Sequence, residues 1–200
     1  MLVEKSTAER IVDVAEELFA QQGFDGTSLA VIADRVGIRQ PGIYNHFASK
    51  KDLYVAVMAR LLDPWLEELG KLPADAFSPD KGLPYYVQLM SYNVRNPNLA
   101  RLIQQAVLAG GWQLELLVSR WYRPLFERVE ELREPNKELW RYPAEMRHWV
   151  FMGHSSMMLG YVTLAPLYRE LLGFDPLSDE AVAKQNEFLL YVFRGLLKLD

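Results

Sequence analysis

The sequence contains no cysteine among its 200 residues. This absence excludes a disulfide framework and a thiolate metal site, and it is compatible with a reducing compartment. The N-terminal sequence MLVEKSTAER lacks the apolar segment of a secretory signal peptide. No stretch approaches the roughly 18 uncharged apolar residues that a membrane-spanning helix needs. We therefore expect a cytoplasmic protein without a membrane partner.

Several enzyme motifs are also missing. The chain has no Gly-x-Ser-x-Gly nucleophile elbow and no phosphate-binding glycine loop. Glu145 and His148 have the Glu-x-x-His spacing of four-helix di-iron proteins, but such a site needs a second pair and two further glutamates. The other histidines, His46 and His154, have no carboxylate three residues before them. We therefore expect neither catalysis nor a metal or other cofactor.

Positive charge is scarce. Lys and Arg number 22 against 26 Asp and Glu, a formal net charge of −4, so the protein does not clamp nucleic acid over its whole surface. Residues 1–53 are themselves net acidic, which predicts weak nonspecific DNA binding. The balance reverses over residues 37–52, where Arg39, Lys50 and Lys51 oppose Asp52 alone. Any DNA contact is therefore local.

Apolar residues recur at helical spacing along almost the whole chain, and no alternating run lies between hairpin turns. The sequence therefore predicts an all-α fold. A capping box at Ser6 and Glu9 predicts the start of the first helix, and Gly23 its end. Later helices are expected over residues 51–69, 84–95, 97–109, 112–133, 143–164 and 178–199, with a short turn around residues 166–172.

Two short helices are predicted after the first. Thr27 is the expected N-cap of the second helix, which Gly37 ends as a C′ residue. Pro41 suits the first turn of the third helix, because the N–H that proline lacks has no partner there. Two short helices joined by a glycine-containing turn behind a longer helix define a helix-turn-helix.

The outward face of the third helix carries side chains typical of a DNA-recognition helix. Once Ile43 and Phe47 are buried, the groups left outside are Arg39, Gln40, Gly42, Tyr44, Asn45 and His46. Glutamine and asparagine can pair with adenine and arginine with guanine, while glycine admits close approach of the backbone. Tyrosine and histidine can donate to phosphates, as can Lys50 just beyond the helix. A helix that only packs inside a larger protein has no need of this set.

The segment TSLAVIADRVGIRQPGIYNHFASKKDLYVAVM resembles the DNA-binding domain of the tetracycline-repressor (TetR) family of bacterial transcription regulators. The resemblance covers about residues 6–60 and rests on Thr27, Ile32-Ala33, Gly37, Tyr44 with Phe47, and Ser49-Lys50. It implies phosphate contacts from Thr27, Tyr44 and Lys50. It implies a major-groove surface of Arg39, Gln40, Pro41, Gly42, Asn45 and His46. We expect an N-terminal three-helix DNA-binding domain over residues 1–52 and a helical effector-binding and dimerisation domain over residues 53–200.

The second domain is rich in aromatic residues and methionine, which recur in pockets for apolar or aromatic ligands. The candidate ligand-binding residues are Trp65, Tyr86, Met90, Trp112, Trp121, Trp149, Met152 and His154. Any single one of them is more often plain core, but together they favour a cavity, and His154 could equally be a hydrogen-bonded core or interface histidine. Charged groups are sparse among them, which favours an apolar or aromatic effector.

Two patterns predict a dimer interface. On the last helix, Val182, Gln185, Leu189, Val192 and Leu196 alternate spacings of three and four, as in a seam between packed helices. On the helix before it, small residues form a stripe of Gly153, Ser156 and Gly160. The resemblance implies a homodimer joined by these two helices, with burial inside one subunit as the alternative. A dimer would read a palindromic operator.

These observations predict a sequence-specific transcriptional regulator. The resemblance implies a repressor that a small molecule releases from DNA by shifting the helix beginning near Lys51, and such a ligand must prefer one conformation. An all-helical dimeric adaptor that binds only protein remains the alternative. Such an adaptor would tolerate loss of the surface between Gln40 and Lys50.

Overall fold

A computed structural model of the chain describes residues 5–73, 76, 87–88, 91–134 and 142–196, without the side chains of residues 133, 193 and 196. Within these residues every regular element is a helix and there is no β-strand, so the all-α prediction is confirmed. The N-terminal unit consists of α1 (Thr7–Gly26), α2 (Leu29–Val36) and a six-residue 3₁₀ helix, Gln40–Asn45, here called the recognition helix.

The remaining helices follow the sequence prediction with small shifts. They are α3 (Lys50–Gly70), α4 (Pro97–Ala109), α5 (Gly111–Leu117), α6 (Arg123–Arg133), α7 (Arg147–Thr163), α8 (Ala165–Leu172) and α9 (Asp179–Leu196). The helix expected over residues 112–133 contains a π-helical turn, Val118–Tyr122, and a 3₁₀ turn, Ala144–Met146, precedes α7. Within the helix expected over residues 84–95, residues 87–88 and 91–95 are described and helical, and the others lie outside the described residues.

Helix α1 begins and breaks where the sequence predicts. The Ser6 hydroxyl accepts a hydrogen bond from the Glu9 N–H at 3.3 Å, and the Glu9 carboxylate accepts one from the Ser6 N–H at 2.7 Å. At Gly23 the backbone leaves helical geometry with φ +75°, which favours glycine, and one more turn continues to Gly26.

The junction between α1 and α2 differs from the prediction. Ser28 is the N-cap of α2, and its hydroxyl accepts from the Ala30 N–H at 3.1 Å. The N-cap prediction for Thr27 is therefore wrong by one residue. Thr27 ends α1, because its hydroxyl donates to the Gly23 carbonyl at 2.8 Å. Gly37 ends α2 in the left-handed region, φ +79°, as predicted.

The recognition helix is 3₁₀ rather than α-helical. The Gly42 N–H donates to the Arg39 carbonyl at 2.8 Å, and the His46 N–H donates to the Ile43 carbonyl at 2.9 Å, both with the three-residue spacing of a 3₁₀ helix. Pro41 lies in its first turn, where its missing N–H has no partner to lose. A six-residue segment has room for few α-helical bonds.

One hydrophobic core crosses from the N-terminal unit into the following helices. Phe19, Tyr54, Leu102 and Trp121 are buried members of this cluster, from α1, α3, α4 and the π-helical turn. The domain boundary at residues 52 and 53 stays a prediction. The continuous core means that movement of the later helices bears directly on the DNA-binding unit.

Polar contacts brace the same junction. The Arg60 guanidinium on α3 donates to the Asp13 carboxylate at 2.6 Å and to the Glu16 carboxylate. Asn98 on α4 donates to Glu16 at 3.0 Å. Two of the acidic residues that make residues 1–53 net negative are therefore bound by side chains of α3 and α4.

Candidate DNA-binding surface and effector region

The recognition helix exposes most of the predicted reading groups to solvent. Ile43 is fully buried and anchors the helix to the core, whereas Tyr44 exposes about half of its surface, 52%. Gly42 is half-buried. The other predicted major-groove groups are all exposed: Arg39, Gln40, Pro41, Asn45 and His46.

Thr27 occupies a different environment from the other predicted phosphate contacts. Its side chain is only 2% exposed, and its N–H donates to the Phe24 carbonyl at 3.3 Å. The neighbouring Ser28 exposes its hydroxyl, a donor that sequence reasoning missed because the cap was placed one residue early. The phosphate contact of Thr27 stays a prediction.

Lys50 and Lys51 rest on aromatic rings at the start of α3. The Lys50 Nζ lies 4.4 Å from the centre of the Phe24 ring, and the Lys51 Nζ lies 4.6 Å from the centre of the Trp112 ring. Such contacts are cation–π interactions, which stabilise an ammonium group over a ring face. The sequence gives no sign of the contact between Lys51 and Trp112, because the two residues are far apart along the chain.

Trp112 lies against the DNA-binding unit. Its ring centre is 5.0 Å from that of Phe24 and 5.5 Å from that of Tyr54, both edge-to-face. Burial raises the pKa of the Tyr54 hydroxyl, although a hydrogen bond from Gln113 opposes that rise. Trp112 thus joins α5 to α1 and α3, and its predicted ligand contact stays a prediction.

Trp121 is part of the core. It is 1% exposed, and its indole Nε1 donates to the Asp63 Oδ1 at 2.6 Å. Arg120 pairs with the other oxygen of Asp63 at 3.1 Å. The neighbouring Tyr122 is enclosed, and burial raises its pKa to about 12. Trp121 therefore braces α3 in this structure, and its predicted ligand contact has no open surface.

The other predicted pocket residues are dispersed. Trp149 and Met152 lie on the surface, 64% and 55% exposed, while Tyr86 and Met90 fall outside the described residues. Trp65 is half-buried among apolar side chains, and its indole N–H is enclosed with no acceptor in the described part of the chain.

His154 is an enclosed, neutral imidazole. Burial lowers its pKa to about 4, well below the ordinary value of 6.5. At neutral pH it therefore carries no charge. Trp65 packs against the main core from its edge, and the ligand contacts of Trp65 and His154 stay predictions.

A surface groove with a cavity volume of about 870 Å³ lies between α7, α8 and α9. Its walls include Ser156, Gly160 and Gln185, three of the predicted dimer residues. Tyr161 and Pro176 also line the groove, and the Tyr161 hydroxyl donates to the Pro176 carbonyl. The groove is open to solvent in the single chain.

The predicted dimer residues divide between the surface and the interior. On α7, Gly153 and Ser156 are exposed and Gly160 is half-buried. On α9, Leu189 is 1% exposed, so it packs inside its own subunit and is closed to a partner in this conformation. Three more α9 positions, Val182, Gln185 and Val192, are half-buried, and the side chain of Leu196 is not described.

A second face of α9 was missed by the heptad pattern. Phe188 is 53% exposed and Tyr191 is 81% exposed, which is unusual for large apolar groups without a partner. The spacing of apolar residues cannot distinguish a face that packs within the subunit from one that meets a second subunit.

The Glu-x-x-His pair is not part of a metal cluster in the described region. Glu145 and His148 are exposed, and the His148 ring stacks on Phe126 with 5.6 Å between centres. Among the described residues, no three His, Asp or Glu side chains come together as metal ligands. None of the helices in those residues is long and apolar enough to cross a bilayer.

An exposed recognition helix held by a helix-turn-helix, in front of a larger helical region, defines the class of DNA-binding transcriptional regulators. Residues 11–57 match the family of bacterial regulatory proteins called the tetR family. The HTH-type transcriptional regulator RutR of Escherichia coli O157:H7 is 36% identical over 181 residues, 88% of this chain and 82% of that protein. With RutR of strain K12 the 36% identity spans 101 residues, about half of each chain. The chain belongs to the TetR family.

Solved structures support the same fold. A transcriptional regulator of Streptomyces coelicolor superposes with a TM-score of 0.68 at 22% identity, covering 96% of this chain and 99% of that one. A complex of SmeT with triclosan gives a TM-score of 0.62 at 21% identity, covering 91% of this chain and 90% of SmeT. Membership of the TetR family makes the chain a DNA-binding regulator and not an enzyme, which favours this interpretation over the adaptor.

Proposed function

We propose that this chain is a ligand-responsive repressor that binds a palindromic operator as a homodimer and leaves it when a small, largely apolar molecule binds. Its place of action is the cytoplasm, where bacterial DNA lies. The observation that carries the proposal is the recognition helix, which exposes hydrogen-bonding groups and buries only Ile43.

Gly42 supports close approach to DNA. A Cβ atom built at this position would meet only the Ile38 side chain, at 3.6 Å, an ordinary van der Waals contact. The fold therefore does not need glycine here, because neither space nor a left-handed backbone requires it. A glycine on the outer face of a recognition helix removes the side chain that would otherwise separate the backbone from the bases.

The roles of the other groups follow from their chemistry. Gln40 and Asn45 can each form two hydrogen bonds to adenine, and Arg39 can do so to guanine. Pro41 and His46 complete the groove-facing surface. Tyr44 and Lys50 serve the phosphates, which position the helix without reading sequence. Thr27 can join them only if its hydroxyl leaves the Gly23 carbonyl.

The effector-binding proposal rests on Trp65. An enclosed indole N–H without an acceptor costs free energy that a ligand oxygen would recover. The apolar surroundings of Trp65 suit an uncharged, largely apolar molecule. The triclosan complex of the structural neighbour SmeT is a precedent for small-molecule binding in this fold.

Dimerisation through α7 and α9 is supported by what they expose. Trp149, Met152 and Ser156 follow helical spacing on one face of α7, and all three are exposed. Phe188 and Tyr191 add exposed rings from α9. Aromatic anchors of this kind dominate the energetics of protein interfaces. Trp149 and Met152 thus fit a partner subunit better than a ligand.

The DNA-binding part is tested by selecting bound sequences from random duplexes with the purified protein. We expect a palindromic site to be enriched. A variant with Tyr44→Ala and Lys50→Ala should lose that enrichment, while the exposed control Glu115→Gln should keep it. An unenriched pool with folded wild-type protein at low salt would refute operator recognition.

The effector-binding part is tested on the selected operator. Molecules that release the protein from labelled DNA are found by screening, and each is then assayed on Trp65→Phe, which keeps the ring and removes the N–H. The expected result is a weaker response to the effector with unchanged operator affinity. Equal responses of the variant and the wild type would exclude Trp65 as the hydrogen-bond donor.

A further inference from the structure

Two neighbouring cations at the start of α3 are held by aromatic rings from different parts of the chain. Residues 46–49 are all that separate α3 from the recognition helix, so these cations lie beside the DNA-reading surface. Phe24, beneath Lys50, comes from the last turn of α1. Trp112, beneath Lys51, comes from α5, beyond the DNA-binding unit.

A lysine side chain is flexible, and fixing it in one place costs conformational entropy. An ammonium group that already rests on a ring face has lost part of that freedom before DNA arrives. Its N–H groups on the side away from the ring remain available to phosphate oxygens. The ring therefore prepares the cation for a phosphate contact without competing for it.

Trp112 is itself held by its backbone and by its neighbours. Gly110 and Gly111, directly before it, have φ values of +67° and +53°, a left-handed pair that turns the chain from α4 into α5. The Trp112 ring then packs edge-to-face on Phe24 and Tyr54. The position of the Lys51 ammonium therefore depends on where α5 lies.

We propose that Phe24 and Trp112 are positioning residues for DNA binding, and that Trp112 presents Lys51 as a further phosphate contact beside Lys50. The proposal rests on the proposed function, in which Lys50 binds a phosphate. It adds a direct link from the helical domain to the DNA contacts, because displacement of α5 removes the ring from beneath Lys51.

The test measures binding of the full-length protein to a fluorescently labelled selected operator over a series of NaCl concentrations. Trp112→Leu should weaken binding about two- to five-fold for each subunit. It should also lower the slope of log affinity against log salt by as much as about 0.9 for each lost phosphate contact. Lys51→Met should have the same effect, and the double variant should lose no more than Lys51→Met alone.

Trp112→Phe keeps a ring face and should retain most of the wild-type slope. Because Trp112→Leu could unfold the junction, thermal unfolding is followed by circular dichroism for every variant. Site-specific incorporation of tetrafluorotryptophan at position 112 keeps the shape and removes the attraction of the ring for cations. It should reproduce the loss of slope in a folded protein. The same set of single and double variants, made with Phe24→Leu and Lys50→Met, tests the contact between Phe24 and Lys50.

A wild-type slope in Lys51→Met or in the fluorinated protein would overturn the proposal. So would a Trp112→Leu variant that binds more weakly with an unchanged slope, since that pattern reports only loss of structure. These outcomes are separate from failure of the proposed function, in which the wild-type protein itself selects no operator.

Discussion

At the scale of the residue, a substitution of Gly42 should affect folding stability and DNA binding differently. Because an added Cβ meets only ordinary contacts and the backbone is not left-handed, we expect Gly42→Ala to leave stability unchanged or raise it by up to about 1 kcal/mol. Operator affinity should fall at least ten-fold, because the methyl group enters the DNA interface. Thermal unfolding and operator binding measure the two effects.

The control for Gly42→Ala is Gly70→Ala, at the end of α3, where an added Cβ meets open space. This variant should keep both stability and DNA affinity. Unchanged operator binding in Gly42→Ala would mean that the backbone of the recognition helix stays away from the base edges.

His154 gives a prediction about pH. Because burial lowers the pKa of His154 from 6.5 to about 4, the folded state favours the neutral ring. As pH falls from 6.5 towards 4, the unfolded chain binds a proton that the folded chain does not, and stability decreases by up to about 3 kcal/mol. His154→Gln should flatten this part of the stability profile, measured by urea unfolding at several pH values.

The matched control is His148→Gln, on the same helix but exposed. It should leave the pH profile between 4 and 6.5 close to that of the wild type. A His154→Gln variant with the full wild-type loss of stability would show that other groups cause it.

At the scale of the element, the junction between α1 and α2 uses two neighbouring hydroxyls differently. Thr27→Val removes the donor to the Gly23 carbonyl and should cost about 1–2 kcal/mol. Ser28→Ala removes the N-cap of α2 and should cost about 1 kcal/mol. Ser119→Ala, an exposed serine, should change stability by less than about 0.5 kcal/mol. Urea unfolding compares the three, and a Thr27→Val protein of wild-type stability would contradict the inward bond.

Local chemistry made most element boundaries predictable. The Ser6 capping box, the left-handed Gly37 and Pro41 in a first turn depend on residues within one helical turn of each other. The α-helical expectation for the recognition helix was wrong because that segment is too short for many i to i−4 bonds. Thr27 and Ser28 are both good caps, so composition alone did not choose between them.

The candidate site was less predictable wherever it depends on distant contacts. The candidate base-reading residues could be proposed from the sequence because their types are unusual on an exposed helix, and their contacts with bases stay a prediction. Trp112 was predicted to line a pocket because the residues near it in the sequence do not indicate that its ring contacts Phe24 and Lys51. Leu189 fits a heptad seam, yet the neighbour that buries it belongs to its own subunit.

At the scale of the whole molecule, the continuous core and the exposed faces of α7 and α9 have different roles. The core joins the DNA-binding unit to the helical region, so a ligand can act on the recognition helix through packed side chains. In the proposed dimer, the exposed rings pack on a second subunit, which also supplies the second recognition helix. Under that proposal, release from DNA is a property of the dimer.

The dimer is tested by Tyr191→Glu, which places a charge at a ring that is 81% exposed in the single chain. Burying that charge against a partner should raise the dimer dissociation constant at least about 30-fold, the effect of losing about 2 kcal/mol at an interface anchor. Operator binding should fall with it, because one half-site alone binds weakly. Leu108→Glu, at an 85% exposed leucine of α4, is the control and should remain dimeric. Sedimentation velocity over a range of concentrations measures both variants. A Tyr191→Glu protein that dimerises like the control would place the interface on another face, and the groove between α7, α8 and α9 would be the next surface to mutate.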